Sequence, residues 1–181
     1  MNDVTHNAES GLPMFKPIKG TSDYWTRSDE PDVETLDHDD RDKITELLMG
    51  RKVTKVDGEH LLLDDGTVIK AIGHEGGCAC SAGDYDLSVL NGVDNIITRV
   101  EFDYHPAGDF DPWDGPNEAK QCDPEQEEYT GHYRIFVFAE HQKINLMQVD
   151  GSDGNGYYGT GYELLVRRAT TPTPPGQGTQ S

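Results

Sequence analysis

The stretch Tyr133–Glu140, YRIFVFAE, decides the fold, because it is the best core candidate in the chain. Successive side chains of an extended strand project to opposite faces, and both alternating sets of this stretch are largely apolar. The pattern therefore predicts a central β-strand.

Shorter strand-like segments lie before and after this strand. Asp65-Gly66 separates two of them and indicates a hairpin, because Asp-Gly readily adopts the positive φ angles of a tight turn. Asp39 or Asp40 is placed to cap a short helix that Gly50 would end. The other predicted strands are Lys52–Val56, Glu59–Leu63, Thr67–Ile72, Thr98–Tyr104, Ile144–Val149 and Tyr162–Val166.

These segments predict a mainly β (α+β) fold with one or two short helices. The links between most successive strands are short, which favours antiparallel pairing. We expect a single mostly antiparallel sheet, or a small barrel or sandwich, of about six or seven strands. Thr98–Tyr104 alternates apolar and polar residues, so it should lie near an edge of the sheet or in a sheet with one solvent-exposed face.

The two ends of the chain differ in composition from the middle. Residues 1–38 combine prolines, acidic residues and scattered aromatics without a sustained period, which predicts a flexible acidic arm. Residues 170–181 contain no large apolar side chain and predict a disordered Pro/Gly tail. Residues 39–169 form the predicted β-rich domain, which an acidic insert at 106–131 interrupts.

The chain is strongly acidic, with 34 acidic and 15 basic residues and a formal charge of −19. This balance argues against direct binding to nucleic acid or to an anionic membrane, because clustered Lys and Arg would provide that attraction. No run of about 18 apolar residues is present, so we expect no membrane span. Solubility explains the charge most simply, and mimicry of a nucleic-acid surface is the alternative.

Two glycine-rich stretches are the candidate binding loops. Gly73–Gly92 reads GHEGGCACSAGDYDLSVLNG and predicts one loop, and Asp150–Gly161 reads DGSDGNGYYGTG. The strands between them could bring the loops together, and tyrosines beside glycines can stack on a flat ligand or pack in the core. The predicted ligand-binding residues are His74, Glu75, Gly76, Gly77, Asp153, Asn155, Tyr157 and Tyr158.

The cysteines raise a zinc hypothesis. His74, Cys78 and Cys80 offer three suitable donors within seven residues, and Cys122 or His105 could supply the fourth. The one-residue gap between Cys78 and Cys80 differs from the usual zinc spacing, so ordinary reduced thiols are the alternative reading.

An enzyme would use the same residues. Cys78 or Cys80 could act as a nucleophile with His74 or His132 as its base, which would make the protein a thiol-dependent hydrolase. Because no catalytic signature accompanies these residues, we expect binding rather than catalysis.

The two blocks GHEGGCACSAGDYDLSVLNGVDNIITRVEF and YRIFVFAEHQKINLMQVDGSDGNGYYGTGYELLV together resemble an uncharacterised domain found in small proteins of actinobacterial phages. The resemblance covers roughly residues 43–168 and excludes both ends of the chain. It implies a phage origin and expression inside a bacterial host. Because that domain has no assigned activity, the resemblance indicates no catalytic residues.

Three functions follow as hypotheses. The first is a non-enzymatic phage accessory protein that acts in the host cytoplasm. It would bind a host protein or sequester a small ligand, such as a nucleotide signal, through loops 73–92 and 150–161. The second is a virion component, or homo-oligomer, whose arms contact neighbouring subunits. The third is an acidic nucleic-acid mimic or a thiol- or metal-dependent hydrolase.

Overall fold

The computed structural model describes Gly11, Phe15 and residues 30–73, 84–105, 130–152 and 161–169. These residues contain nine strands and one helix. In chain order they are β1 Val33–Asp37, α1 Arg41–Leu48, β2 Val53–Asp57, β3 His60–Leu63, β4 Val68–Gly73, β5 Asp84–Leu90, β6 Ile97–His105, β7 Thr130–Ala139, β8 Gln142–Ser152 and β9 Tyr162–Arg167.

The strands form two sheets. One has the order β1-β9-β4-β3-β2, and the other has the order β5-β8-β7-β6. The neighbouring strands pair antiparallel throughout the described residues. The inner faces of the two sheets share one apolar core with α1. The mainly β, antiparallel prediction is confirmed in its sandwich form, with more strands than the six or seven expected.

The strand on which the prediction rests behaves as expected. β7 lies between β6 and β8, and its inward side chains are buried. On its outer face, basic groups lie over the aromatic rings: the Lys143 Nζ is 4.2 Å from the Phe136 ring centre, and the Arg99 guanidinium is 3.7 Å from that of Phe138. β6 forms one edge of the same sheet, as its alternation predicted.

The predicted helix and hairpin are both present. α1 buries Ile44, Leu47 and Leu48 against the core, and Gly66 takes a φ of 85° in the turn between β3 and β4. Asp40 precedes the helix without capping it through its side chain. Its carboxylate instead accepts a hydrogen bond from the Asp37 N–H at 3.0 Å.

Several predicted boundaries were wrong. The predicted insert at 106–131 runs into β7, which begins at Thr130, and the predicted loop at 150–161 begins inside β8, which ends at Ser152. Gly73–Gly92 is not one loop, because Gly73 ends β4 and residues 84–90 form β5, with Tyr85 buried. The predicted arm, residues 1–38, contains β1, which pairs with β9 from the other end of the domain. Both strands depend on partners distant in sequence, and local composition does not reveal such partners. The Pro/Gly tail and most of the insert lie outside the described residues.

The backbones of the two sheets approach each other closely at Gly73. A Cβ atom on Gly73 would lie 2.6 Å from the Tyr85 carbonyl carbon and 3.2 Å from the Asp86 Cα, and it would lie closer still to the Tyr85 carbonyl oxygen. Carbon atoms in contact are normally about 3.5 Å or more apart. Only glycine allows the end of β4 to pass this close to β5.

Phe15 covers part of the outer face of the five-stranded sheet. Phe15 is buried there and packs with Val68 and Leu165. The Arg167 guanidinium lies 4.7 Å from the Phe15 ring centre and 2.5 Å from the Glu30 carboxylate. Among the described residues, no helix has the length and apolar composition that crossing a bilayer requires.

Candidate functional site

Strand termini from both sheets meet at one end of the sandwich, which we call the loop end. The strand register pairs Gly73 with Tyr162 and pairs both Asp84 and Thr130 with Ser152. The Gly73–Tyr85 approach joins the two sheets at this same end. Segments 74–83, 106–129 and 153–160, which lie outside the described residues, all begin and end here. The loop end is defined by Gly73, Asp84, His105, Thr130, Ser152 and Gly161.

The predicted site residues all belong to these segments. Their flanking residues are neighbours, so the two glycine-rich stretches attach to the same end of the fold, as the sequence suggested. Their roles as ligand or metal contacts stay predictions. The residues outside the described part of the chain are His74, Glu75, Gly76, Gly77, Cys78, Cys80, Cys122, Asp153, Asn155, Tyr157 and Tyr158.

An aromatic cluster fills the inner side of the loop end. Tyr133 is its centre, with ring centres 5.0 Å from Tyr104, 5.1 Å from Tyr85 and 5.1 Å from His38. Tyr162 completes the cluster and is fully buried. Tyr162 is therefore a core residue rather than an exposed stacking surface for a ligand. The cluster gives the loop end a closely packed base.

The hydroxyl groups of Tyr104 and Tyr162 form a hydrogen bond with each other. Burial raises the pKa of Tyr162 far above its usual range, and burial also raises the pKa of Tyr104, although the hydrogen bond from Tyr162 and the Arg41 charge oppose the latter shift. Arg41 lies over the Tyr104 ring, 4.4 Å from its centre. Both phenols are therefore neutral at physiological pH and serve as hydrogen-bonding core groups.

His38 joins β1 to this cluster. Its Nδ1 lies 2.5 Å from the Asp37 carboxylate, and its Nε2 lies 3.8 Å from that of Asp39. Gly161 passes directly against the imidazole, since a Cβ there would lie 2.5 Å from the His38 Nδ1. Gly161 also has a φ of 94°, so glycine is required at this position for two reasons.

A polar cluster occupies the outer side of the same strand ends. The register pairs His105 with His132 and Asp103 with Arg134, and residues two apart on a strand share a face. His105 Nε2 is 2.8 Å from Asp103 Oδ1, while His132 Nε2 and Arg134 Nη1 are 3.6 and 3.5 Å from Asp103 Oδ2. The two imidazole ring centres are 4.8 Å apart.

Asp103 is the anionic centre of this polar cluster. Partial burial opposes its ionisation, but the hydrogen bond with His105 and the charges of His105, His132 and Arg134 outweigh burial and lower the pKa of Asp103. The carboxylate is therefore ionised at neutral pH.

The polar cluster continues across the outer face of the four-stranded sheet. Arg134 Nε donates to the Gln148 side-chain oxygen at 2.9 Å, and the Gln148 amide donates to the Asp150 carboxylate at 2.7 Å. Ser88 Oγ donates to the same carboxylate at 2.5 Å. This chain of contacts orients the arginine that supports Asp103.

Sequence reasoning missed the role of Asp103 and named His105 and His132 only as accessories to the cysteines. The detectable signal was the pair of short patterns Asp103-Tyr104-His105 and His132-Tyr133-Arg134, in which tyrosine faces the core and polar residues face outward. Their pairing depends on the β6–β7 register, which the long intervening insert hides.

The chain was compared with known protein families. A family model described as a domain of unknown function, DUF7448, matches residues 46–164. The chain belongs to the DUF7448 family. The match runs from α1 to β9, so it includes β4–β8 and the start of β9 at the loop end, but it excludes β1. The expectation of an uncharacterised domain family is confirmed. No curated protein and no solved structure matches the chain.

Proposed function

We propose that this DUF7448 protein is a non-enzymatic accessory protein of a phage, which acts in the bacterial host by binding a basic surface of a host protein through the loop end. The observation that carries the proposal is the attachment of segments 74–83, 106–129 and 153–160 to one end of the sandwich. Loops on a rigid scaffold are a common way of building a binding surface.

Charge favours a basic partner. The three segments hold ten acidic side chains and one basic one, so they carry −9 of the formal charge of −19. Asp37 and Asp103 add carboxylates at the same end. A surface of one dominant sign accelerates association with an oppositely charged partner and rejects partners of like charge.

The base beneath the segments supports binding rather than catalysis. Burial keeps Tyr104 and Tyr162 of the aromatic cluster neutral, so these two phenols are poor proton carriers, and the closely packed cluster holds the strand ends in place. The close approach of Gly73 to Tyr85 fixes the two sheets relative to each other. A rigid base of this kind reduces the entropy lost when a partner binds.

The setting of the proposal comes from the resemblance to the actinobacteriophage domain carried by the glycine-cysteine block and the closing DGNGYYG block. That resemblance supports a phage origin and an action in the host cytoplasm.

The test is capture from actinobacterial lysate with matched charge variants. The loop variant carries Glu125→Gln, Glu127→Gln and Glu128→Gln in segment 106–129. The control carries Asp64→Asn, Asp94→Asn and Glu140→Gln, which are exposed residues in turns at the opposite end of the sandwich. Each variant removes three negative charges, so total charge is matched.

We expect a host protein that the wild type and the control retain and the loop variant loses. Raising the salt concentration should also release it, because exposed charges are screened over about 10 Å at 0.1 M salt. Equal retention by the loop variant and the control would overturn the proposal, and so would a captured protein without a basic surface.

A nucleotide ligand is the competing form of the same hypothesis. An anionic nucleotide would have to approach the most acidic end of the molecule, which disfavours it. A thermal-shift panel of nucleotides measures this directly. If a nucleotide stabilises the protein, and this stabilisation requires the loop residues Tyr157 and Tyr158, the partner is a small ligand and not a host protein.

The virion alternative depends on arms that contact neighbouring subunits. Phe15 instead packs on β9 of its own chain, beside Arg167. This contact favours an N-terminal region that serves its own domain. Finding the protein in purified particles would favour the virion alternative, and finding it only in infected lysate would reject that alternative.

A further inference from the structure

We propose that Asp103, His105 and His132 form a binding site for a divalent first-row transition-metal ion of the Zn²⁺ type. The donor atoms of these three residues all lie within 4.8 Å of one another. The site contains no cysteine and shares with the predicted cysteine site only His105, which was there one of two choices for the fourth donor. It goes beyond the proposed function because it requires no host partner.

The donor separations suit a metal ion. Zinc bonds to imidazole nitrogen and carboxylate oxygen are about 2.0–2.2 Å long, so neighbouring ligands lie about 3.0 Å apart at right angles and about 3.4 Å apart at tetrahedral angles. The separations here are 2.8 Å from His105 Nε2 to Asp103 Oδ1 and 3.6 Å from His132 Nε2 to Asp103 Oδ2. Each separation lies within about 0.2 Å of one of these two values.

His132 provides an independent observation. Its Nε2 atom is buried and has no hydrogen-bond partner among the described residues. Buried polar atoms in folded proteins nearly always have a partner. A metal ion held between His132 and Asp103 would be that partner.

The donor set selects the class of ion. Two imidazoles with one carboxylate suit zinc, iron, cobalt and nickel, whereas magnesium and calcium prefer sites made of oxygen. His105 is 67% exposed, so an ion at this site would be reached directly from solvent and would complete its coordination with water.

Arg134 would act as an outer support of the site. Its Nη1 lies 3.5 Å from Asp103 Oδ2, and its Nε donates to Gln148. Contacts of this kind hold a metal-binding carboxylate in position, and their loss typically weakens metal affinity about 10- to 100-fold.

The test uses the full chain, purified without a histidine tag and stripped of metal with a chelator. Zn²⁺ binding is measured by titration calorimetry, and Co²⁺ binding by its visible absorption. We expect one equivalent of either ion, with a cobalt spectrum that lacks sulfur-to-metal charge transfer.

Variants separate this site from the alternatives. Loss of an outer support typically weakens metal affinity about 10- to 100-fold. His132→Ala and Asp103→Asn remove direct ligands, so each should weaken Zn²⁺ binding at least as much. His141→Ala, which alters an exposed histidine in the β7–β8 turn, should leave binding unchanged. A serine variant of all three cysteines should also bind as the wild type does.

Circular dichroism of the metal-free variants checks that each is folded. Asp103→Asn keeps the shape of the side chain, so it remains informative if His132→Ala unfolds the protein. The proposal is overturned if neither ion binds, or if binding persists in Asp103→Asn and disappears in the cysteine variant.

Discussion

Gly73→Ala should destabilise the fold strongly, because it places a methyl group between two backbones. Atoms of Tyr85 and Asp86 occupy the space that the new Cβ requires. They belong to the main chain, so no rotation of a side chain can relieve the clash. Either β4 must separate from β9 near the Gly73–Tyr162 pair, or β5 must separate from β8 near the Tyr85–Gly151 pair.

The cost follows from these distances. The contact with the Tyr85 carbonyl carbon is 2.6 Å, which is about 0.9 Å shorter than an ordinary carbon contact. Overpacking of a well-packed interior typically costs about 1–3 kcal/mol, and a clash with fixed backbone belongs at the upper end of that range. Replacing glycine recovers about 0.4–1 kcal/mol from the unfolded chain. We expect a net loss of about 2–3 kcal/mol in the free energy of unfolding.

Urea denaturation measures this loss, and Gly92→Ala is the matched control. A Cβ on Gly92 would meet the nearest atom, Val56 Cγ2, at 3.7 Å, which is ordinary contact. The control should therefore be as stable as wild type or gain up to about 1 kcal/mol, because the same replacement restricts the unfolded chain without a clash. Equal stability of Gly73→Ala and Gly92→Ala would refute the close approach of the two sheets.

Three further predictions concern buried polar groups. Arg167→Ala should lower the free energy of unfolding by about 3 kcal/mol, because it removes a buried guanidinium that pairs with the largely buried Glu30 carboxylate. The exposed Arg168→Ala should lower it by less than about 0.5 kcal/mol, and equal urea midpoints of the two variants would contradict this. Tyr162→Phe should lower the free energy of unfolding by about 1–2 kcal/mol, because it leaves the Tyr104 hydroxyl without its hydrogen bond. The double variant Tyr162→Phe, Tyr104→Phe should lose less stability than the sum of the two single variants, and strictly additive losses in urea denaturation would count against the hydrogen bond. Burial, and to a smaller extent the nearby Lys70, lowers the pKa of His60 below its ordinary value of 6.5. The stability that the neutral ring contributes is therefore present above pH 6.5 and is lost as the pH falls below that value. His60→Gln should lose less stability than wild type between about pH 7 and about pH 5, and parallel pH profiles of the two proteins would exclude this role.

The predictable part of the fold came from local patterns. β7 and the Asp65-Gly66 hairpin carry their information in neighbouring residues, as an apolar alternation and a turn dipeptide. β1 is short and acidic, and its partner β9 lies more than 120 residues later, so its strand character depends on tertiary pairing. In β5, an irregularity in register between Leu87 and Val89 interrupts the alternation that would have indicated a strand.

The candidate site was less predictable than the fold. The shared attachment of the two glycine-rich stretches could be anticipated, because the strands between them return the chain to the same end. The cluster of Asp103, His105 and His132 could not, because 24 residues of insert separate β6 from β7 and no short turn sets their register. Counting cysteines drew attention to donors near in sequence, whereas the cluster joins donors across strands.

The central claim is that the loop end is the binding surface, and hydrogen exchange of the complex with the captured host protein tests it most directly. We predict protection of segments 74–83, 106–129 and 153–160 and of the strand ends that flank them, with no change in the turns at Asp64, Asp94 and Glu140. Protection confined to those three turns, with unchanged exchange at the loop end, would contradict the claim.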